Sequence, residues 1–273
     1  MLQLTSTITE NATLEIGLRD IEVPKPGADD VLIEVQASPI NPSDLGTLVG
    51  AGDLTSIRVE GEGEQSKVIM DIPESVMWAM KPRIGKPLPV GNEGSGIVTE
   101  AGENAKHLIG KVVSAVGGGM YAQYRVLPAM ACIEMPDDIE PKDCASSFVN
   151  PLTALGMVET MKSEGHSALI HTAAASNLGQ MLVKICLADN IPLINIVRKP
   201  EQVDLLKSLG AEYVCNSSDD NFKDSLVEAI KATNATLAFD ATGGGELSGR
   251  ILSCMEIVMR ANMKEFSPYG STQ

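Results

Sequence analysis

A cluster of small residues after an apolar run has the spacing that phosphate chemistry requires. Ala174, Ser176 and Gly179 follow the apolar residues 168–170 in the register of the G-x-G-x-x-G turn between a strand and a helix. Such a helix start presents unpaired backbone N–H groups and a positive dipole end, which suit a pyrophosphate. Two of the three glycines are replaced, so Ala174 and Ser176 fit only with negative φ angles. A packing turn without any ligand remains the alternative.

Two cations, Arg198 and Lys199, close the next apolar run, residues 193–197. A dinucleotide site for NAD places Asp or Glu here for the ribose 2′-OH, whereas a cation suits the 2′-phosphate of NADP. Because the formal net charge of the chain is -15, a paired cation at this point favours a ligand over chance. The sequence therefore predicts a preference for NADPH, with simple solvation of a helix start as the alternative.

The second half of the chain supplies the elements that must position these residues. Apolar runs alternate with helical periodicity, which is typical of a parallel α/β sheet. The predicted strands are 168–171, 193–197, 213–216 and 237–240, and the predicted helices lie near 177–189, 200–209, 220–232 and 245–260. Ligands bind at the carboxyl ends of such strands, where Thr242 and Gly243 also fall.

The first half, residues 1–150, is rich in short strands with frequent glycine and proline, which indicates a barrel-like β domain. The predicted strands there are 31–37, 91–98, 111–116 and 121–126. Residues 50–86 fit neither pattern and contain the one tryptophan of the chain. This segment is expected to cover a pocket or an oligomer interface, or to pack its own apolar residues as a surface loop.

The charge and cysteine content of the chain indicate which partners and which cellular compartment to expect. An acidic chain lacks the clustered Lys and Arg that nucleic acid or anionic membrane surfaces require. Neither a membrane-spanning run nor a signal peptide is recognisable, so we expect a cytoplasmic protein. Five widely spaced cysteines without a C-x-x-C pair predict free thiols.

Several motifs occur in an order that is more specific than any one of them. They are Ser38-Pro39-Ile40-Asn41-Pro42-Ser43-Asp44, Gly91-Asn92-Glu93-Gly94-Ser95-Gly96, residues 119–124, residues 151–154, the small-residue turn and Leu209-Gly210-Ala211. This order resembles the medium-chain dehydrogenase/reductase superfamily, and within it the zinc-independent NADPH:quinone oxidoreductases. The resemblance implies a GroES-like catalytic domain, residues 1–150, a Rossmann domain, residues 151–273, an active site between them, and a homodimer.

The resemblance also assigns residues. Zinc alcohol dehydrogenases have Cys where this chain has Asn41 and His where it has Asn92, so no metal is expected. Asn41 and Thr153 would lie near the nicotinamide, and Asp44 and Tyr121 on the substrate side. A turn with a helix cap also explains Asn41 and Asp44, and simple packing also explains Tyr121. The predicted catalytic residues are Asn41, Asp44 and Tyr121, and the predicted cofactor-binding residues are Asn41, Thr153, Ala174, Ser176, Asn177, Leu178, Gly179, Arg198, Lys199, Thr242 and Gly243.

The function expected from these features is hydride transfer from NADPH to a small electrophilic molecule, a quinone or conjugated enone, by orientation alone. One alternative is an enoyl-thioester reductase, disfavoured because Ala51-Gly52-Asp53 stands where such relatives carry a Tyr. Another is a cofactor-binding protein without turnover.

Four strands are fewer than the six of a complete Rossmann sheet, so this domain is expected to be incomplete and to end in an unpaired apolar edge after residue 240. The hypothesis is a fragment or truncated product that self-associates through the edge or needs a partner to cover it. In the alternative, the first domain or the helix at 255–263 covers the edge.

Overall fold

The chain divides into two units, Met1–Val149 and Asn150–Gln273. The structure, a computed structural model, describes residues 1–263 and Gly270. The expected end of the chain, residues 266–273, therefore lies outside the described residues except for Gly270. Among the residues described, no helix has both the length and the apolar character needed to cross a membrane.

Antiparallel strands build the first unit. Its strands are β1 (Leu2–Ile8), β2 (Thr13–Asp20), β3 (Asp30–Ala37), β4 (Arg58–Glu60), β5 (Lys67–Asp71), β6 (Leu88–Pro89), β7 (Glu93–Ala101), β8 (Val112–Val116), β9 (Tyr124–Pro128) and β10 (Cys132–Glu134). Its helices are α1 (Pro42–Val49), α2 (Glu74–Met80) and α3 (Pro141–Cys144). They form two five-stranded sheets, ordered β4-β5-β2-β1-β6 and β10-β8-β7-β3-β9. The β-rich first half predicted from the sequence is confirmed.

The segment from residue 50 to residue 86 is part of this architecture. β5 pairs with β2, and β4 pairs with β5, so the segment widens the first sheet. Met70 and Ile72 are buried with Ile8 and Leu14 in one apolar cluster, whereas Trp78 on α2 is 75% exposed. The segment thus packs its own apolar residues, as one of the two expectations had it, but as strands of the first sheet and not as a surface loop.

A parallel sheet flanked by helices forms the second unit. Its strands are β11 (Leu169–His171), β12 (Leu193–Val197), β13 (Tyr213–Asn216) and β14 (Leu237–Phe239), and its helices are α4 (Val149–Ser163), α5 (Asn177–Ala188), α6 (Pro200–Ser208), α7 (Phe222–Thr233) and α8 (Leu247–Ala261). The strand order is β13-β12-β11-β14. All four predicted strands and all four predicted helices of this half are present within three residues of their expected bounds.

The sheet is apolar on both faces, as expected for a parallel sheet covered by helices. Ile170, Ile194 and Ile196 face a cluster that includes residues of α7 and α8, while Leu169 and Leu193 face residues of α4, α5 and α6. Within the described residues β14 pairs with β11 alone, so its outer edge has no strand neighbour there.

Helix α4 was not among the predicted elements. Gly156 in its middle weakens a helical interpretation of the sequence, whereas Pro151 lies in its first turn, where proline is tolerated. Leu152 and Leu155 are exposed while Ala154 and Val158 are buried, so the apolar residues do not mark one face. Tertiary packing therefore decides this helix.

A buried polar pair interrupts the apolar layer beneath α5. His171 and Asn195 are direct neighbours on β11 and β12 and are almost fully buried. Both ring nitrogens of His171 and the side-chain oxygen of Asn195 lack a hydrogen-bond partner. Burial lowers the pKa of His171 to about 4, so the folded state holds a neutral imidazole at neutral pH.

We expect this histidine to make the fold sensitive to acid. The folded-state pKa lies below the unfolded value near 6.5, so its contribution is present above about pH 6.5 and is lost as the pH falls through about 4. The loss amounts to up to about 3 kcal/mol. Urea unfolding of His171→Leu at pH 7 and pH 4.5 should show a weaker pH dependence than the wild type. The control is His107→Asn, a change at an exposed histidine. If the unfolding free energy of His171→Leu changes between the two pH values as much as that of the wild type, the interpretation is contradicted.

Candidate functional site

The centre of the site in the first unit is Glu93, the first residue of β7, which has no exposed surface. Its Oε1 accepts a hydrogen bond from Asn41 Nδ2 at 3.0 Å. Its Oε2 accepts from the backbone N–H groups of Phe148 at 2.8 Å and Val149 at 2.9 Å. All three partners are donors, so a carboxylate satisfies them and is itself satisfied. Since Val149 begins α4, the negative charge also stabilises the positive end of that helix.

Glycines let this strand approach its neighbours closely enough to place Glu93. A Cβ at Gly96 would lie 1.9 Å from the carbonyl oxygen of Glu34, and a Cβ at Gly94 would lie 2.5 Å from Ser38 Oγ. Gly91 has φ +97°, and a Cβ there would lie 2.6 Å from Tyr121 Cδ1. The G-N-E-G-S-G motif is therefore a steric requirement of the site.

Asp44 connects α1 to the turn that precedes β7. Its buried carboxylate accepts from the backbone N–H of Asn41 at 2.8 Å and from that of Asn92 at 2.9 Å. The Asn92 side chain donates to Ser43 Oγ at 2.7 Å. Both Asp44 oxygens are thus engaged in holding Asn41 and Asn92 in place.

The Tyr121 hydroxyl donates to the carbonyl oxygen of Pro39 at 2.9 Å. Burial, together with the nearby Asp44 carboxylate, raises the pKa of this phenol well above its usual range. Tyr121 therefore stays protonated and anchors the segment before Asn41. The structure brings the three predicted catalytic residues, Asn41, Asp44 and Tyr121, into one network around Glu93. The sequence motif contained Glu93, but its place at the centre was not predicted.

A cavity of about 760 Å³ opens at the carboxyl ends of the strands in the second unit. Its wall includes Ser176 after β11, Arg198 after β12, Ser217 after β13, Thr242 and Gly243 after β14, and Arg250 on α8. Among the residues that the structure describes, two arginines and no acidic residue line it. Such a cavity suits a ligand with several negative charges.

The turn after β11 has the geometry that the small residues predicted. Ser176 has φ -65° and its hydroxyl accepts from the Gly179 backbone N–H at 3.1 Å, so it caps α5. Ala174 is absent from the positive-φ residues, and Ala173 takes the left-handed conformation instead, with φ +51°. A Cβ at Gly179 would lie 2.2 Å from the Ala174 carbonyl oxygen, so only glycine fits. The predicted negative φ angles are confirmed.

The two cations after β12 occupy different surroundings. Arg198 lines the cavity, whereas Lys199 lies outside the wall, 3.8 Å from the Glu201 carboxylate. The Gln202 Oε1 accepts from the backbone N–H groups of Arg198 at 3.0 Å and Lys199 at 3.2 Å. This contact fixes the start of α6, with Arg198 in the cavity wall.

Sequence reasoning missed Asp240, which shapes the glycine turn. Its Oδ1 accepts from the hydroxyls of Thr172 at 2.7 Å and Thr242 at 2.6 Å, and its Oδ2 from Ser248 at 2.6 Å. These hydrogen bonds hold the pKa of the carboxyl far below its usual range. Asp240 therefore ties the ends of β11 and β14 to the start of α8, and the spacing Asp-x-Thr is its one sequence signal.

The remaining predicted cofactor residues of the second unit are not part of the cavity wall. Ala174 and Gly179 are buried beneath the turn. Asn177 and Leu178 begin α5, where their backbone N–H groups have no partner within the helix. Thr153 is an exposed residue of α4.

Comparisons with known proteins agree with both units. Residues 27–137 match the model of the alcohol dehydrogenase GroES-like domain, and residues 178–258 match that of the zinc-binding dehydrogenase. A crystal structure of an NADPH:quinone reductase from Mesorhizobium loti, assigned by similarity, is 30% identical, with a TM-score of 0.68 over 93% of this chain and 71% of that one. The chain belongs to the medium-chain dehydrogenase/reductase superfamily. Within that superfamily it is quinone-oxidoreductase-like.

A curated protein and a second solved structure are also similar to this chain. The mitochondrial enoyl-[acyl-carrier-protein] reductase of Homo sapiens is 29% identical over 212 residues, 75% of this chain and 49% of that protein. The Escherichia coli quinone oxidoreductase complexed with NADPH is 17% identical, with a TM-score of 0.68 over 93% of this chain and 70% of that one. The chain spans about half the length of the curated relatives it matches.

The superfamily includes zinc enzymes, but the residues described here do not fit a zinc ion. Across residues 1–263 and Gly270, no group of three or more His, Cys, Asp or Glu is placed to hold a metal. The side chain of Asn92 contacts Ser43, and Glu93 already accepts three hydrogen bonds. An amide at positions 41 and 92 is also a poor zinc ligand.

We expect Glu93→Gln to destabilise the first unit by about 1–3 kcal/mol, because an amide offers one acceptor and turns its NH₂ toward donors. Glu93→Ala leaves all three donors unpaired and should cost more, about 3 kcal/mol or above. The free energy of unfolding in urea measures both. Glu100→Gln, an exposed change on the same strand, is the matched control. Equal stabilities of Glu93→Gln and Glu100→Gln would contradict this account.

Proposed function

We propose that the chain is an oxidoreductase that passes a hydride from NADPH to a quinone or a conjugated enone without a metal. The observation that carries the proposal is the second-unit cavity at the start of α5. Its described lining contains two arginines and no acidic residue. Similarity to NADPH:quinone reductases supports the same cofactor and substrate class.

The residues of the cavity fit a phosphorylated dinucleotide. The start of α5 offers the N–H groups of Asn177 and Leu178 to a pyrophosphate, and Arg198 suits the 2′-phosphate. The glycine turn lets a ligand approach the backbone at Gly243. When bound, NADPH supplies the hydride, and the protein supplies orientation.

In the first unit the proposal makes Asn41 the residue that positions the nicotinamide end, with Thr153 contributing from α4. The Asn41 amide is held by Glu93, and its backbone is held by Asp44. Asp44 and Tyr121 have structural partners for their polar atoms, so we assign them to positioning rather than to proton transfer. An electron-poor acceptor requires no strong acid.

An enoyl-thioester reductase is the second candidate, because several relatives bear that name. The segment that would carry the tyrosine argues against it. Ala51 is buried, and a Cβ added at Gly52 would lie 2.9 Å from the Met70 Cβ. The Asp53 carboxylate accepts a hydrogen bond from the Thr55 N–H at 2.9 Å. A large side chain at Ala51 or Gly52 would displace the apolar cluster of the first sheet, whereas Asp53 is exposed.

Further parts of the proposal rest on the sequence and on resemblance. We propose a homodimer with no nucleic-acid or membrane partner, in keeping with the acidic composition. A cytoplasmic location stays a prediction, and the names of several relatives place those proteins in mitochondria.

Cofactor preference should depend on Arg198. Arg198→Ala is expected to lose about 1–3 kcal/mol of NADPH binding and little NADH binding, because the charge-assisted contact to the 2′-phosphate is removed. Lys199→Ala is the matched control and should change little, since Lys199 lies outside the wall. Isothermal titration calorimetry measures the six affinities, those of the wild type and of the two variants for NADPH and for NADH. Equal affinity of the wild type for NADPH and NADH would contradict the preference.

The activity is tested by following NADPH absorbance with 1,4-benzoquinone, with a conjugated ketone and with crotonyl thioester. We expect quinone- and enone-dependent oxidation that persists after chelation with EDTA. Binding of NADPH without oxidation by any acceptor would identify a non-catalytic protein. A rate confined to the thioester would favour the second candidate.

A further inference from the structure

Strand β4 forms an open edge of the first sheet. It pairs with β5 on one side, and within the described residues it has no strand partner on the other. The free edge of a sheet presents N–H and C=O groups that can pair with another chain, and many proteins protect such edges with proline, lysine or a bulge. β4 consists of Arg58, Val59 and Glu60 and pairs with β5 in an unbroken register, so it has none of these three protections.

Large apolar side chains are exposed along the same edge. Val59 is 65% exposed, and Leu54 and Ile57, which come just before the strand, are each more than half exposed. Val59 lies opposite Val68 on β5, and Val68 packs against the buried cluster that contains Met70. Val59 therefore lies on the apolar face of the sheet, at the place where a further strand would extend that face.

The charges of β4 complement a second copy of the same strand. Arg58 and Glu60 are two residues apart and lie on the face opposite to Val59. The Arg58 guanidinium is 3.7 Å from the Glu60 carboxylate and 2.9 Å from that of Asp71, and all three side chains are largely exposed. When two β4 strands pair antiparallel about a two-fold axis at Val59, Arg58 of each copy lies opposite Glu60 of the other.

The same charges select this register. A shift of two residues in either direction would place Arg58 opposite Arg58 or Glu60 opposite Glu60, and like charges directly opposite each other are destabilising. A shift of one residue would turn Val59 to the wrong face of its neighbour. The centred register alone forms both salt bridges and brings the two Val59 side chains together on the apolar face.

We propose that β4 is the interface of a homodimer, in which two copies join their five-stranded first sheets edge to edge through Arg58, Val59 and Glu60. The partner is a second copy of this chain because the charge pattern of the strand is its own complement. The interface is independent of the proposed hydride transfer, and it gives the proposed homodimer a defined contact.

Charge reversal tests the pairing, with sedimentation velocity over a concentration series as the measurement. The wild type should form dimers, whereas Arg58→Glu and Glu60→Arg should each be monomeric, because like charges then oppose each other at both positions. An equimolar mixture of these two variants should form dimers again, since each cross-strand pair then joins an acidic and a basic side chain. Arg19→Glu, the same change of charge at an exposed position of β2, is the control and should remain dimeric. Melting temperatures check that each variant is folded.

Disulfide crosslinking tests the register. Val59→Cys should give a covalent dimer on mild oxidation, because the two-fold axis places the two thiols directly opposite each other. Ile57→Cys is the matched control at a second exposed apolar position. The centred register sets position 57 opposite Gly61 of the other copy, which keeps the two thiols too far apart to react with each other.

Three results would overturn the interface. The first is a wild type that remains monomeric throughout the concentration series. The second is a dimer that survives both charge reversals, or a mixture of the two variants that stays monomeric. The third is a dimer that Ile57→Cys crosslinks as readily as Val59→Cys. NADPH oxidation by the same variants is measured separately, so a failure of the interface and a failure of the proposed function are distinguishable.

Discussion

The site of the first unit depends on the hydrogen bonds that three N–H groups donate to the buried Glu93 carboxylate. Moving a carboxylate out of water costs several kcal/mol unless other groups replace its hydration. Glu93 has three N–H donors for this purpose, two of them at the start of α4. The two backbone donors occupy Oε2, and the Asn41 side chain must turn its NH₂ group toward Oε1 to satisfy the other oxygen. The burial of the charge therefore sets the orientation of the Asn41 amide. The close approach at Gly94 and Gly96 follows from the same requirement.

In the second unit the charged groups of the candidate site are cations that line a cavity. Arg198 and Arg250 line a cavity whose described wall has no acidic residue, in a chain with a formal net charge of -15. Asp240 is close to the same turn, but hydroxyl groups occupy both of its oxygens, so it shapes the turn and leaves the cavity wall to the cations. Cations kept apart from the many acidic residues create a positive region that attracts an anionic ligand.

The parallel sheet could be predicted from the sequence because its strands are continuous apolar runs bounded by turn residues. Residues 193–197 and 213–216 match β12 and β13 at both ends. Helix α4 could not be predicted, since it contains Gly156, its apolar residues do not mark one face, and its stability comes from packing. Asp240 and Arg250 could not be assigned either. Their partners, Thr172 and Phe222, lie on other elements, so contacts between distant parts of the chain define their places.

The replacement of two glycines in the phosphate turn does not remove the geometry of the turn. The positive φ falls on Ala173, at a cost of about 1 kcal/mol relative to glycine. With that conformation, the Ala174 N–H reaches the Ile196 carbonyl oxygen at 3.2 Å, and Ser176 caps the helix. Strain of this kind persists where the surroundings impose it, often at a functional site. Since Gly179 is retained where no side chain fits, the altered fingerprint gives no reason to infer weak cofactor binding.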